Sequence, residues 1–177
     1  NLKRLMCIIC TGDYDINLSK LNCKECKTIK EIPKQLVNLN NLNCYNTNIK
    51  KIPKELINLK QLVCKYTLIK KIPKELVNLE QLYCDSSMVT EIPKELVNLI
   101  YLDCSFCKIY NLPKTLVNLI YLCCYSTLIK EIPKEFINLY SVRHNDEYCY
   151  WRDNWILENN ETKEINKTCK WDKSWIK

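Results

Sequence analysis

The stretch Leu59-Lys60-Gln61-Leu62-Val63-Cys64-Lys65-Tyr66-Thr67-Leu68-Ile69-Lys70-Lys71-Ile72-Pro73-Lys74-Glu75-Leu76-Val77-Asn78 decides the fold, because the twenty residues that follow repeat its frame. Written in lines of 20 from Ile32, the chain nearly superimposes on itself: IPKQLVNLNNLNCYNTNIKK, IPKELINLKQLVCKYTLIKK, IPKELVNLEQLYCDSSMVTE, IPKELVNLIYLDCSFCKIYN, LPKTLVNLIYLCCYSTLIKE, then IPKEFINLYSVRHNDEYCYW. Self-similarity at a short fixed period is the signature of stacked structural repeats. Within the unit, Gln61 to Lys65 alternates inward and outward positions, which suits a short strand burying Leu62 and Cys64. The chain then returns through Ile72-Pro73-Lys74-Glu75-Leu76-Val77-Asn78, where Pro73 suits the first position of a helical turn and Asn78 a tight exit. A single coil cannot bury its own ring of leucines, so stability must come from stacking, and both ends need caps.

Started at its first leucine, the unit reads L-x-x-L-x-C-x-x-T-x-I-x-x-I-P-x-x-L-V-N, as in Leu59, Leu62, Cys64, Thr67, Ile69, Ile72, Pro73 and Leu76. This resembles the leucine-rich repeat, whose unit is L-x-x-L-x-L-x-x-N/C-x-L. The match runs from Leu18 to about Leu139, with a truncated unit at Leu2, Leu5, Cys7 and Cys10. It departs from the family at column six, which carries cysteine for leucine, and at column nine, which carries Thr, Ser or Cys where asparagine is common. The Asn- and Lys-rich texture is similar to that of the leucine-rich repeat proteins of giant DNA viruses. The resemblance implies an α/β solenoid, a right-handed horseshoe of about seven coils over residues 1–145 with a parallel concave sheet and short 3-10 or irregular convex turns. It also implies an interaction scaffold that is not an enzyme and needs no cofactor.

At the C-terminal end the column breaks, His144 standing where Cys124 stood one coil earlier. Tyr148, Trp151 and Trp155 follow at helical spacing and Trp171 and Trp175 repeat the step, so residues 146–177 read as a Trp-rich helical cap. A Trp-lined ligand site is the alternative.

With 177 residues, 47% of them hydrophobic and 27% charged, one globular domain is expected. No apolar run has the length of a membrane span, and the N-terminal stretch lacks the h-region of a leader. The single glycine, Gly12, argues against P-loops and dinucleotide-binding turns, which need several. The absence of alanine beside abundant Asn, Lys, Ile and Tyr suits an AT-rich coding genome.

Cysteine occupies column six at Cys7, Cys23, Cys44, Cys64, Cys84, Cys104 and Cys124, while column nine holds Cys10, Cys26, Thr47, Thr67, Ser87, Cys107 and Thr127. The recurrent Cys-x-x-Cys is therefore the spacing between two inward columns, where cysteine acts as a small hydrophobe. Cys7, Cys10, Cys23 and Cys26 also have nearly zinc-ribbon spacing, and metal binding is the alternative there. Because the repeat accounts for all four, no metal is expected. Disulfides are not expected along a column, and 13 cysteines suit a reducing compartment, so a cytoplasmic location is expected, a host's if the viral resemblance holds. The sequons at Asn17, Asn160 and Asn166 then count as chance matches.

The outward strand columns change from coil to coil and are expected to bind a partner protein. The candidate residues are Tyr45, Tyr83, Asp85, Tyr101, Asp103, Tyr121, Tyr125 and Arg143, with a tyrosine diagonal through Tyr83, Tyr101, Tyr121 and Tyr125. The bland alternative is that tyrosine simply stabilises strands. A second face carries a lysine row, Lys34, Lys54, Lys74, Lys94, Lys114 and Lys134, but Glu55, Glu75, Glu95 and Glu135 neutralise much of it. Nucleic-acid or anionic-surface binding is thus an alternative, as is service as the substrate-reading part of a larger protein. A monomer without membrane contact is expected. The lone His144 and the outward Cys123 make no recognisable catalytic constellation.

Overall fold

The computed structural model describes residues 7–144 and 147–150, with side chains through Arg143. A four-residue helix, α1 (Ile8–Thr11), precedes seven short strands: β1 (Lys20–Asn22), β2 (Asn41–Asn43), β3 (Gln61–Val63), β4 (Gln81–Tyr83), β5 (Tyr101–Asp103), β6 (Tyr121–Cys123) and β7 (Ser141–His144). They pair in chain order and in parallel, each leucine of the fourth column over the next: Leu21 on Leu42, Leu62, Leu82, Leu102 and Leu122. The periodicity thus becomes a parallel-strand solenoid, one coil per repeat.

Every coil buries the same positions. In the coil quoted above, Leu59, Leu62, Cys64, Ile69 and Leu76 are fully buried, with Thr67 and Ile72 close behind. These rings form one continuous core from Cys7 to Val142. The column-nine residue is chosen for more than size. The hydroxyls of Thr47, Thr67 and Thr127 each donate to the carbonyl of the cysteine three residues earlier, at 2.6 to 2.8 Å. Where Cys107 takes the position, its thiol donates to the Cys84 carbonyl at 3.1 Å. A small side chain able to donate is what Thr, Ser and Cys share.

The return segment makes two successive turns, Leu76 N to Pro73 O at 3.3 Å and Leu79 N to Leu76 O at 3.0 Å, and does not extend into a 3-10 helix. Asn78 does more than end a turn. Its side-chain amide donates to the Ile57 carbonyl of the preceding coil at 3.0 Å, and Asn58, Asn98, Asn118 and Asn138 do the same to Val37, Val77, Val97 and Val117. These five asparagines are inter-coil clamps, whereas Asn38 donates to the Asn17 side chain at 3.2 Å.

Each coil from β1 to β6 also holds one left-handed residue just past its strand: Glu25, Asn46, Tyr66, Ser86, Phe106 and Ser126, with φ between 51° and 60°. Asparagine is the only type among them that suits this region well.

At the N-terminal end Cys7 is the N-cap residue of α1 and Cys10 lies within it, while Leu2 and Leu5 of the truncated unit lie outside the described residues. One C-terminal expectation is corrected. Tyr148 does not begin a helix. Residues Glu147–Tyr150 form β8, antiparallel to β7, with Ser141 opposite Tyr150 and His144 opposite Glu147. The unpaired backbone edge of β7 outweighs helical side-chain spacing. Trp151, Trp155, Trp171 and Trp175 lie outside the described residues. Among the described residues, no helix is long and apolar enough to cross a membrane.

Candidate functional site

Three outward columns cross the sheet face. The first runs Asn41, Gln61, Gln81, Tyr101, Tyr121 and changes character midway. Its N-terminal half is an amide ladder, Asn41 donating to Gln61 at 2.9 Å and Gln61 to Gln81 at 2.7 Å. The Tyr83 hydroxyl donates to the same Gln81 oxygen at 3.4 Å, joining the ladder to the aromatic half. There Tyr83 stacks on Tyr101 with ring centroids 4.6 Å apart, Tyr101 leans on Tyr121 at 6.2 Å, and Tyr140 meets Tyr121 edge-on at 6.0 Å. Tyr121 is 42% exposed.

A charged cluster lies beside the rings. Lys65 Nζ sits 2.7 Å from Asp85 Oδ1 and 3.1 Å from Asp103 Oδ2, and 5.2 Å from the centre of the Tyr83 ring. Its side chain is 26% exposed and each carboxylate 13%. Burial pushes the Asp85 carboxyl above its ordinary range, Lys65 pulls against that, and neighbouring Asp103 pushes with it. Burial disfavours the Lys65 ammonium, but the two carboxylates outweigh burial and raise its pKa.

The candidate residues therefore do not form one patch. Tyr83, Asp85, Tyr101, Asp103 and Tyr121 are brought together. Tyr125 leaves the diagonal: it packs edge-on against Phe106 at 5.0 Å, because the left-handed backbone at Phe106 brings that ring alongside. Tyr45 sits nearer the N-terminal coils, edge-on to Tyr66 at 5.7 Å with Lys24 Nζ 5.4 Å from its centre. Arg143 is exposed on β7, in register with Cys123. Sequence reasoning missed Tyr140 and did not place Lys65 at the centre. The signal for Lys65 lay in the columns: Asp85 follows it by one period in its own column, and Asp103 lies in the outward column beside it.

The cysteine columns are mostly inert. Burial pushes the thiols of Cys44 and Cys124 up to about 12 and those of Cys64 and Cys104 well above their ordinary value. Cys123, half-buried on the sheet face, is raised by burial and by the Asp103 carboxylate, the wrong direction for a nucleophile. Cys107 differs: the Cys84 thiol, acting as a side-chain donor, brings it down to about 7, burial opposing and Ser87 assisting.

The N-terminal thiols differ again. The sulfurs of Cys7, Cys10 and Cys26 lie within 4.8 Å of one another, with Cys7 and Cys10 3.8 Å apart and Cys10 and Cys26 3.6 Å apart. The Cys7 amide donates to the Cys26 sulfur at 3.4 Å, and the Thr28 hydroxyl lies 3.3 Å from both Cys10 and Cys26 sulfurs. Burial alone would raise Cys26, but these donors bring it down to about 6, while burial raises Cys10 to about 11. Cys23, fully buried, stands outside the triangle.

On the convex side the lysine row is exposed, and Lys114 pairs with Glu135 of the next coil at 3.4 Å. A groove beside the row is lined by Lys50, Lys70, Lys71 and Lys94 together with Leu68 and Met88.

The parallel stack, its leucine ladder and its 20-residue coils make this a leucine-rich-repeat solenoid. Among solved structures it is similar to the functional domain of InlJ from Listeria monocytogenes, described as including a cysteine ladder, at 26% identity and a TM-score of 0.68 over 75% of this chain and 32% of that one. A leucine-rich repeat protein of Leptospira interrogans matches at 29% identity and TM-score 0.55, over 65% of this chain and 33% of that one. The Arabidopsis receptor kinase HAESA, solved with the peptide hormone IDA and a co-receptor, matches at 24% identity and TM-score 0.60, over 75% of this chain and 26% of that one. The chain thus spans about a third of the length of the Listeria and Leptospira chains. No family model and no curated protein matches it.

Proposed function

We propose that this solenoid is a protein-interaction module whose partner, a protein or peptide, binds the concave sheet face around Tyr83, Tyr101 and Tyr121, with Asp85 and Asp103 beside them. The observation that carries this reading is the continuous tyrosine row. Its rings are held by one another and by the Gln81 amide, so they offer large contact area with little side-chain entropy left to lose. Aromatic side chains of this kind dominate binding energy at protein interfaces. HAESA, which shares the fold, is seen with a bound peptide hormone. Tyr45, Tyr125 and Arg143 stand at the margins of the surface.

The test compares affinity capture from native cells by the wild-type chain and by a Y83A/Y101A/Y121A variant of matched thermal stability. Loss of specific partners from the variant supports the reading, and retention of every partner removes this face from consideration. A second reading, binding of an anionic surface or nucleic acid, is favoured by the lysine-lined groove. It predicts affinity that falls steeply with salt and responds to Lys70, Lys74 and Lys94 but not to the tyrosines.

A further inference from the structure

We propose that Cys7, Cys10 and Cys26 bind a soft divalent cation, zinc foremost, which ties α1 to the coil that carries β1. In a tetrahedral zinc site with Zn–S of about 2.3 Å, neighbouring sulfurs lie about 3.8 Å apart. The Cys7–Cys10 and Cys10–Cys26 separations are 3.8 and 3.6 Å. The three sulfurs, all within 4.8 Å of one another, thus outline one face of such a site.

Plain packing would also bring sulfurs into contact, but two observations set this cluster apart. First, donors converge on its sulfurs: the Cys7 amide on Cys26, and the Thr28 hydroxyl between Cys10 and Cys26. Outer-shell donors of this kind orient and stabilise metal-bound thiolates. Second, among the described residues no other three-thiol group gathers this closely, although column six places a cysteine in each coil from Cys23 to Cys124. Cys10 alone of the three is not fully withdrawn from solvent, so the cluster has an entry path.

The local packing leaves room for such a tie: α1 has four residues and none of them is buried, so apolar burial alone gives it little hold on the β1 coil. A metal bridging residues 7, 10 and 26 supplies that hold, and because it binds only the folded arrangement it stabilises the folded state.

The experiment uses the full chain, purified with zinc under reducing conditions, dialysed and assayed for bound metal. Cobalt(II) is then titrated into the metal-free protein and the thiolate-to-cobalt charge-transfer absorption followed. One equivalent of tightly bound metal, weakened tenfold or more by C10S and by C26S and unchanged by C123S, is expected. Cys10 is only partly buried, so C10S can be shown by circular dichroism to keep its fold. As a measurement on the unaltered chain, zinc should slow alkylation of Cys10 at least tenfold while leaving that of Cys123 unchanged. Wild-type protein holding well under one equivalent, C10S and C26S binding as wild type, or alkylation of Cys10 indifferent to zinc would each overturn the proposal.

Discussion

Replacing Lys65 by methionine tests how the charged cluster is held together. The substitution keeps the apolar stem but leaves Asp85 and Asp103 facing each other with side chains 13% exposed and no cation 2.7 to 3.1 Å away. Two charges 4 Å apart interact by about 4 kcal/mol at an effective dielectric of 20. Lys65 keeps a quarter of its side chain in water, and screening with lost solvation reduces the net figure to about 1–2 kcal/mol. That corresponds to roughly 2–8 °C in Tm for a chain of this size.

The pH dependence is the sharper signature. The Asp85 carboxyl lies above its ordinary range in the folded wild type, and without its cation it rises further. A carboxyl with a raised folded pKa binds its proton more tightly folded than unfolded. Lowering the pH through that folded value therefore restores stability to K65M, completely only below the ordinary carboxylate range. Urea unfolding of wild type, K65M and K65M/D85N at pH 7 and pH 4 reads this directly. The loss should be largest at pH 7, shrink at pH 4, and be at least halved by D85N. A loss equal at both pH values and indifferent to D85N would refute the electrostatic account.

Three further pairs of substitutions probe the stack. L82A empties a fully buried position in the middle of the leucine ladder and should cost about 2–5 kcal/mol by urea titration, whereas L68A, exposed on the convex groove, should stay within about 0.5 kcal/mol. N98A removes one inter-coil clamp at an exposed site and should cost about 0.5–1.5 kcal/mol, with N118A falling in the same range because its geometry is the same. S86G relieves a left-handed residue at φ 54° and should raise stability by up to about 1 kcal/mol, while glycine at the neighbouring buried Ser105 should lower it.

The inward half of the molecule was almost fully readable. In a quasi-one-dimensional stack the repeat period alone decides burial, so Leu62, Cys64, Ile69 and Leu76 could be assigned from spacing without knowing their neighbours. What stayed hidden depends on where one coil meets another. Nothing about Tyr66 or Phe106 announces a left-handed backbone, since no glycine marks that column. Asn78 reads as a turn residue because its partner, the Ile57 carbonyl, lies 21 residues away. Tyr125 looks like part of a diagonal until Phe106 is seen beside it. At the C-terminal end, local spacing favoured a helix at Tyr148 while pairing along β7 dictated a strand.

The clamps made by Asn58, Asn78, Asn98, Asn118 and Asn138 all point the same way, each reaching back to the coil that precedes it in the chain. A polypeptide leaving the ribosome N-terminus first therefore offers every new asparagine a carbonyl already in place. The solenoid can grow by accretion, one layer fastening onto the last, with no segment waiting for the far end to be made.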